Sequence, residues 1–552
     1  MGLTERRIQL LFAIFLGLLV VAVSRTLWLG GVQASSLRKA AATQQVDEIA
    51  VPARRGAISD RNGIELAVSQ PAADVAATPY LVKRPAKVAA QLAPLLGRTQ
   101  AEVLEKLGAD SGFVYLARNL PGTKAEKIKQ LHIDGMTFVP TARRDYPRKW
   151  LASQAIGSVG VERKGLSGLE YRFDDSLHGT DGTRRIVKDA HGQPIVLQET
   201  KRSVPGQDIK LTLDAQLQGK VEDVLAQVGT KWHPKGATAI VMDPATSTIL
   251  ALADWPRVDA NDLGGAPPYA SQNRAVRMIY EPGSTFKAFT VAGALEDKKV
   301  TPEEFWHLPP TIDVADRTIK EAEERGTVDL TTSQILAQSS NVGTVRIAQK
   351  LGADRFDYWT RRFGFGRRTK VELPGEEPGL VLARKKYTGP SIGNLPIGQG
   401  NSVTPMQLAT AYAAIANGGV LRQPRIVSRI GDRPTRVPAG RRIISEATTA
   451  QVRTMLTGVL EAGGTASKIA IDGYTLAGKT GTANKIDTDT GEYSQSRYIA
   501  SFVGFAPARD PKLLVTVMVD EPQGDIYGAE VAAPAFQEIM RFALPYLRIG
   551  PG

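Results

Sequence analysis

Fourteen consecutive uncharged residues, Leu10 to Val23, follow Arg6 and Arg7 and precede Arg25. A basic flank before an apolar run marks a secretion or anchoring signal, and it ties the rest of the chain to a membrane before any fold is considered. Fourteen residues match the core of a cleavable signal peptide, and Val32-Gln33-Ala34 resembles a small-residue cleavage site. A spanning helix needs about 20 residues. Leu10 to Gly31 reaches that length if Arg25 snorkels to the interface, where Trp28 also belongs. The expectation is therefore a cytoplasmic tail and transmembrane signal-anchor over 1–34, crossing the membrane once. Positive residues stay inside, so the bulk of the chain is expected on the extracytoplasmic side.

At 552 residues the chain is longer than one hydrophobic core usually organises, which calls for two or three folded units. It has no cysteine, so a disulfide framework, a thiol nucleophile and a cysteine-bound metal are all excluded. Five histidines without an HExxH pair give no reason to expect a metal. The formal charge of +13 attracts nucleic acid, anionic lipid and anionic wall polymer alike. No nucleic-acid motif selects the first, and no nucleic-acid partner is expected.

Residues 51–206 mix strand-like runs and turns with a helical hairpin around Ala89 to Leu107, and read as a non-catalytic module. Within it, Asn62-Gly63 between apolar residues signals a tight hairpin, because both residues tolerate positive φ. A second domain, 208–552, opens with a short strand at Ile209 to Leu213, a helix at Ala215 to Val228 and a hairpin turning at Asp243-Pro244. It closes with strands at Tyr498 to Phe505 and Leu513 to Val519 and a helix at Pro534 to Leu547. Strands at both ends with a helical middle predict one α+β unit.

Three short patterns occur in order inside that domain: Ser284-Thr285-Phe286-Lys287, Ser339-Ser340-Asn341 and Lys479-Thr480-Gly481-Thr482. Each alone means little. Ser36-Leu37-Arg38-Lys39 repeats the first pattern and Ser271-Gln272-Asn273 the second, and a helix cap or surface turn accounts for any one of them. In context the first is sharper: Glu281-Pro282-Gly283 breaks the chain, so Ser284 heads a helix with Lys287 one turn on, on the same face. A serine hydroxyl needs a base, and a lysine serves only if desolvation or nearby positive charge lowers its pKa. The helix N-terminus also offers N–H groups to an oxyanion. Ser339 could relay a proton while Asn341 holds Lys287 and binds a substrate amide. Lys479 offers a cation to a terminal carboxylate, Thr480 and Thr482 offer hydroxyls, and Gly481 lets a peptide lie against the strand; Thr482 N–H is placed as second oxyanion donor.

In order and spacing the three patterns match the set shared by serine β-lactamases and penicillin-binding proteins. The sequence resembles the class B penicillin-binding proteins over nearly its whole length. The likeness also covers Arg55-Gly56-Ala57-Ile58-Ser59-Asp60-Arg61-Asn62-Gly63, Gly168-Leu169-Glu170, Tyr280-Glu281-Pro282-Gly283 and Gly398-Gln399-Gly400. It implies a pedestal or dimerisation domain followed by a serine β-lactamase-like transpeptidase domain, an antiparallel sheet flanked by helices. By the same likeness Ser284 is the acylated nucleophile, Lys287 its base, Ser339 and Asn341 relay and positioning groups, and Lys479, Thr480 and Thr482 carboxylate binders. Thr246-Ser247-Thr248 departs from the family, which often has Thr-Gly there. Arg144-Asp145-Tyr146-Pro147 and the residues around Ser284 look more like the FtsI-type division enzyme than the elongation type.

The implied activity is a peptidoglycan D,D-transpeptidase that acts in septal synthesis, needs no cofactor and is inhibited by β-lactam antibiotics. Its partners would be peptidoglycan stem peptides and a lipid-linked precursor, a membrane-embedded glycosyltransferase and other division proteins. Two alternatives stay open: an elongation-type transpeptidase, and a membrane scaffold that binds β-lactams without cross-linking. A β-lactamase or D,D-carboxypeptidase would need a deacylating water; class A β-lactamases also carry an aspartate where this chain has Ser340.

Overall fold

The computed structural model of the chain describes residues 3–35, 46–188, 194–487 and 490–551. Its first element is the helix Leu3–Leu27, continued by a π-turn over Trp28–Val32. Arg6–Val32 is long and apolar enough to cross a membrane, with no part of its most apolar window buried against the rest of the chain. The first-pattern copy at Ser36-Leu37-Arg38-Lys39 lies outside the described residues.

In the N-terminal module the long strand Glu65–Ala77 pairs with both Val114–Pro121 and Met136–Asp145. Helices Pro85–Leu96 and Gln100–Leu107 form the expected hairpin. Gly97 ends the first at a φ of 68°, and Thr99 starts the second through a capping box with Glu102. Val75, Leu92, Val103, Leu116 and Ile128 make this lobe's own core.

The Asn62-Gly63 turn forms as read, with Gly63 at a φ of 90° and Asp60 accepting from the N–H groups of Asn62 at 2.7 Å and Ile64 at 2.8 Å. It also reaches outward: Asp60 accepts from Ala215 N–H at 3.0 Å, and Asn62 donates to Asp214 at 3.1 Å. The turn thus helps cap the helix Ala215–Trp232. Beside it, strand Ile209–Leu211 pairs in parallel with Ile58–Ser59 and antiparallel with Val427–Ile430. One sheet is therefore stitched from residues near 58, 210 and 428, and Ile58, Leu66, Leu169 and Leu177 share a continuous core with Leu217, Ile240 and Phe289.

Five antiparallel strands form the other main sheet, in the order Thr248–Trp255, Gly236–Asp243, Leu513–Asp520, Tyr493–Ala506, Ala477–Ile486. The C-terminal strands complete a sheet begun by the hairpin at 236–255, as the sequence implies. Every residue of Leu513–Asp520 is buried, which explains its unbroken apolar run. Helices Ala215–Trp232 and Ala533–Tyr546 pack together on this sheet, and Pro405–Ala416 packs on its three inner strands. All twelve residues of Pro405–Ala416 are buried, consistent with its lack of a polar face. Ser247, the departure from Thr-Gly, takes a φ of 57°, a left-handed position that glycine occupies without a Cβ penalty.

Candidate active site

Gly283–Phe286 is a single 3-10 turn that runs into the helix Lys287–Glu296. Gly283 takes a φ of 54° and its N–H donates to Gly398 O at 3.1 Å. A Cβ on Gly398 would come within 2.1 Å of Gly283 O, so the Gly398-Gln399-Gly400 segment must pack bare against this turn. Thr285 Oγ1 donates to Pro282 O at 2.7 Å, and Tyr412 Oη donates to Thr285 O at 2.7 Å. Thr285 and Phe286 are buried while Ser284 stays partly exposed. The turn is locked from below and shows one hydroxyl.

Lys287 is fully buried. Its Nζ donates to Ser339 O at 2.5 Å, Asn341 Oδ1 at 2.6 Å and Ser339 Oγ at 3.2 Å. The first and second motifs therefore meet at one amine. Ser339 lies between helices Thr332–Ala337 and Asn341–Leu351 at a φ of 59°, a strained conformation that aims both its carbonyl and its hydroxyl at Lys287.

Sequence reasoning missed the groups that hold this loop. Glu321 accepts from Ser340 Oγ at 2.6 Å and from the N–H groups of Asn341 at 2.7 Å and Val342 at 3.3 Å, and pairs with Arg325. A carboxylate at a helix start satisfies free N–H groups and suits the helix dipole. Lys320 O accepts from Asn341 Nδ2 at 2.8 Å, which fixes the carboxamide with its oxygen toward Lys287. Neither group carries a local signal in the sequence, since both arrive from the end of the strand Arg317–Lys320, about 20 residues upstream.

The third motif lies within the edge strand Ala477–Ile486, and this strand contacts the serine turn directly. A Cβ on Gly481 would fall 2.8 Å from Thr285 Cγ2 and 2.4 Å from Ser501 Oγ, and one on Gly283 would fall 2.6 Å from Thr482 O. Glycine at 481 and at 283 lets strand and turn close together. Thr480 Oγ1 shares a hydrogen bond with Thr465 Oγ1 at 2.8 Å, a second partner the sequence did not reveal. Thr482 Oγ1 accepts from Gly528 N–H at 3.2 Å and keeps its own proton to donate.

Lys479 lies deeper than a solvent-facing cation would. It is fully buried, with Nζ 3.4 Å from both Thr480 O and Thr480 Oγ1. Burial lowers the Lys287 amine to about 7, with nearby Arg325 reinforcing and Glu321 opposing the shift. Burial, then the neighbouring Lys287, pushes Lys479 well below its ordinary range. Among the described residues neither amine has a carboxylate within ion-pair distance. Two buried amines without an anion form a site that an incoming carboxylate would complete, and an amine near pH 7 can exchange a proton with a hydroxyl.

Glu281 sits beside this turn, accepting from Gly400 N–H at 2.8 Å and from Tyr493 Oη at 3.0 and 3.2 Å. Ser271-Gln272-Asn273, the copy of the second motif, lines a separate cleft and is no part of the cluster around Lys287. Among the described residues no group of three or more metal-ligating side chains occurs.

The penicillin-binding protein transpeptidase domain model matches residues 237–541, and the penicillin-binding protein dimerisation domain model matches residues 50–211. The chain is 33% identical to stage V sporulation protein D of Bacillus subtilis, over 99% of this chain and 86% of that protein. It is 32% identical to the peptidoglycan D,D-transpeptidase FtsI of Escherichia coli, over 98% and 92% respectively. Penicillin-binding protein 3 of Mycobacterium tuberculosis, solved with aztreonam, superposes with a TM-score of 0.72 at 28% identity, covering 91% of this chain and 98% of that one. With the three motifs gathered on one serine turn, and with both domain models and these relatives spanning nearly its whole length, the chain belongs to the class B penicillin-binding proteins.

Proposed function

We propose that this chain is a serine-type D,D-transpeptidase that cross-links peptidoglycan stem peptides through an acyl-enzyme on Ser284. The observation that carries it is the Lys287 amine, buried behind Ser284, held by Ser339 and Asn341, and lowered to about 7. Ser284 Oγ attacks the penultimate D-Ala carbonyl of a donor peptide and gives its proton to neutral Lys287. N–H groups of Ser284 and Thr482 receive the oxyanion. The peptide bond breaks, and D-Ala leaves as its amine after taking a proton back through Lys287 and Ser339. An amine of a second stem peptide then attacks the ester, the new amide forms, and Ser284 regains its proton.

Lys479, Thr480 and Thr482 bind the terminal carboxylate of the donor, the anion that the two amines lack, while Gly481 admits the peptide backbone. A β-lactam enters by the same route and leaves a slowly hydrolysed ester on Ser284. The same reading assigns 1–34 to a single-pass anchor with its tail in the cytoplasm, 51–206 to a pedestal and 208–552 to the transpeptidase domain outside. Likeness to FtsI favours septal synthesis, with glycan strands supplied by a membrane-embedded glycosyltransferase and other division proteins around it.

The test is labelling with a fluorescent penicillin, with peptide mapping of the adduct. Wild type should carry the label on Ser284 and cross-link stem peptides, and Ser284→Ala should do neither. A label that persists in Ser284→Ala would place the nucleophile elsewhere.

A further inference from the structure

Three arginines gather at one corner of the catalytic domain. Arg362 ends the helix Ala353–Arg362, Arg367 follows in the loop after it, and Arg441 lies in the short strand Arg441–Arg442. Arg362 donates from Nε to Ile443 O at 3.0 Å and from Nη2 to Arg442 O at 3.4 Å, while Arg441 donates from Nη2 back to Arg362 O at 3.3 Å. Each side chain is tied to the backbone of the other's segment, so the two charges cannot swing apart without breaking those bonds. Partial burial, then the nearby Arg362 and Arg367 charges, lower the Arg441 pKa, with Tyr358 opposing. The Arg367 guanidinium is exposed and makes no hydrogen bond among the described residues; only its carbonyl is engaged, by Gln407 at 2.8 Å.

Among the described residues none of the three pairs with a carboxylate, although the other two arginines of the same helix do. Arg361 pairs with Asp357 at 3.0 Å, and Arg355 grips both oxygens of Asp297, at 2.6 and 2.7 Å. Like charges held together without a counter-ion repel one another, and an anion that reaches all of them removes that cost.

We propose that this corner is a binding site for a phosphate group, gripped by Arg362, Arg367 and Arg441. A guanidinium carries five N–H donors, and the backbone bonds occupy two of those on Arg362 and one on Arg441. The Tyr358 ring lies 5.7 Å from the Arg362 guanidinium and supports it without consuming a donor. One planar carboxylate is matched by one fork, as Arg355 and Asp297 show. A tetrahedral phosphate accepts from several directions, and as a monoester carries a charge of about −1.5 to −2, which suits three cations. Soluble phosphate esters and lipid headgroups share this chemistry.

The test is isothermal titration of the full chain, in detergent and phosphate-free buffer, with glycerol 3-phosphate, dihexanoyl phosphatidylglycerol below its micelle concentration, and succinate. At least one phosphate compound should bind wild type at least tenfold more tightly than succinate does. Tighter binding of glycerol 3-phosphate names a soluble ester as the source, and tighter binding of the lipid names a headgroup; either upholds the site. Arg362→Gln combined with Arg441→Gln should weaken that binding at least tenfold, and Arg367→Gln at least threefold. Arg433→Gln combined with Arg436→Gln removes as much charge from exposed positions elsewhere and should change it less than twofold. Acylation by fluorescent penicillin should stay at the wild-type level in every variant. Arg367→Gln breaks no bond within the protein, so it decides the matter even if the double variant at 362 and 441 fails to fold. Absence of phosphate binding, equal binding of succinate, indifference to Arg367→Gln, or an equal loss in the variant at 433 and 436 would overturn the proposal.

Discussion

Two clusters of buried charge in this molecule are built on opposite plans. In the N-terminal module, Arg55 donates to Glu170 Oε2 at 2.7 Å, Glu170 O at 2.9 Å and Asp174 at 2.6 Å, and Arg144 donates to Glu170 Oε1 at 2.6 Å and Gly56 O at 2.8 Å. Glu170 is fully buried, and both of its oxygens are taken. In the catalytic domain Lys287 and Lys479 are equally buried, but among the described residues their hydrogen-bond partners are neutral oxygens only. A matched buried pair fixes geometry; an unmatched buried amine is driven toward its neutral form and toward any anion that arrives. The first plan suits a joint and the second a reaction centre.

The difference can be broken from either side. Glu170→Ala leaves two arginines buried without their shared partner and should cost about 3–5 kcal/mol of stability. Thermal unfolding measures that loss, while the folded fraction should still acylate with penicillin at the wild-type rate. A slow acylation step in that fraction would mean that the joint takes part in the chemistry. Lys287→Ala and Lys287→Arg should lower the acylation rate by about 10²–10⁴, because neither provides an amine that is neutral near pH 7. Stopped-flow acylation checks this, and equal losses in both variants separate proton transfer from loss of the positive charge.

Lys479→Met should sharpen the contrast by moving stability and function in opposite directions. A buried amine with no anion is replaced by a side chain that belongs inside, so the unfolding free energy should rise by about 1 kcal/mol while donor-peptide turnover collapses. The smallest effect belongs to a position in neither cluster. Ser247→Gly relieves the left-handed backbone and should stabilise the chain by about 0.5 kcal/mol without touching acylation.

The legible parts of the site were those joined by local geometry. Ser284 and Lys287 sit one helical turn apart, and the order of the three motifs carried the rest. Glu321, the Lys320 carbonyl and Thr465 were illegible because each reaches the site from a distant segment whose approach is set by tertiary packing. Lys479 was legible as a cation but not as a buried one. The fold shows the same division. The apolar run at Leu513–Asp520 announces a central strand, whereas nothing local to Ile209 tells that its neighbours will be Ile58 and Ile430. Arg55, Arg144 and Glu170 each stood in a segment of family likeness, but only the fold shows that these segments meet in one ionic knot.

The claim beneath all of this is that a buried amine, unpaired by any carboxylate, takes the proton from Ser284. The pH dependence of acylation by penicillin tests it most directly. With the Lys287 amine at about 7, the neutral form grows as pH rises. The rate should climb about tenfold per pH unit below that point and level off above it. The rising limb should vanish from the residual rate of Lys287→Ala. A flat profile in wild type, or the same limb in the variant, would contradict the assignment of Lys287 as the base.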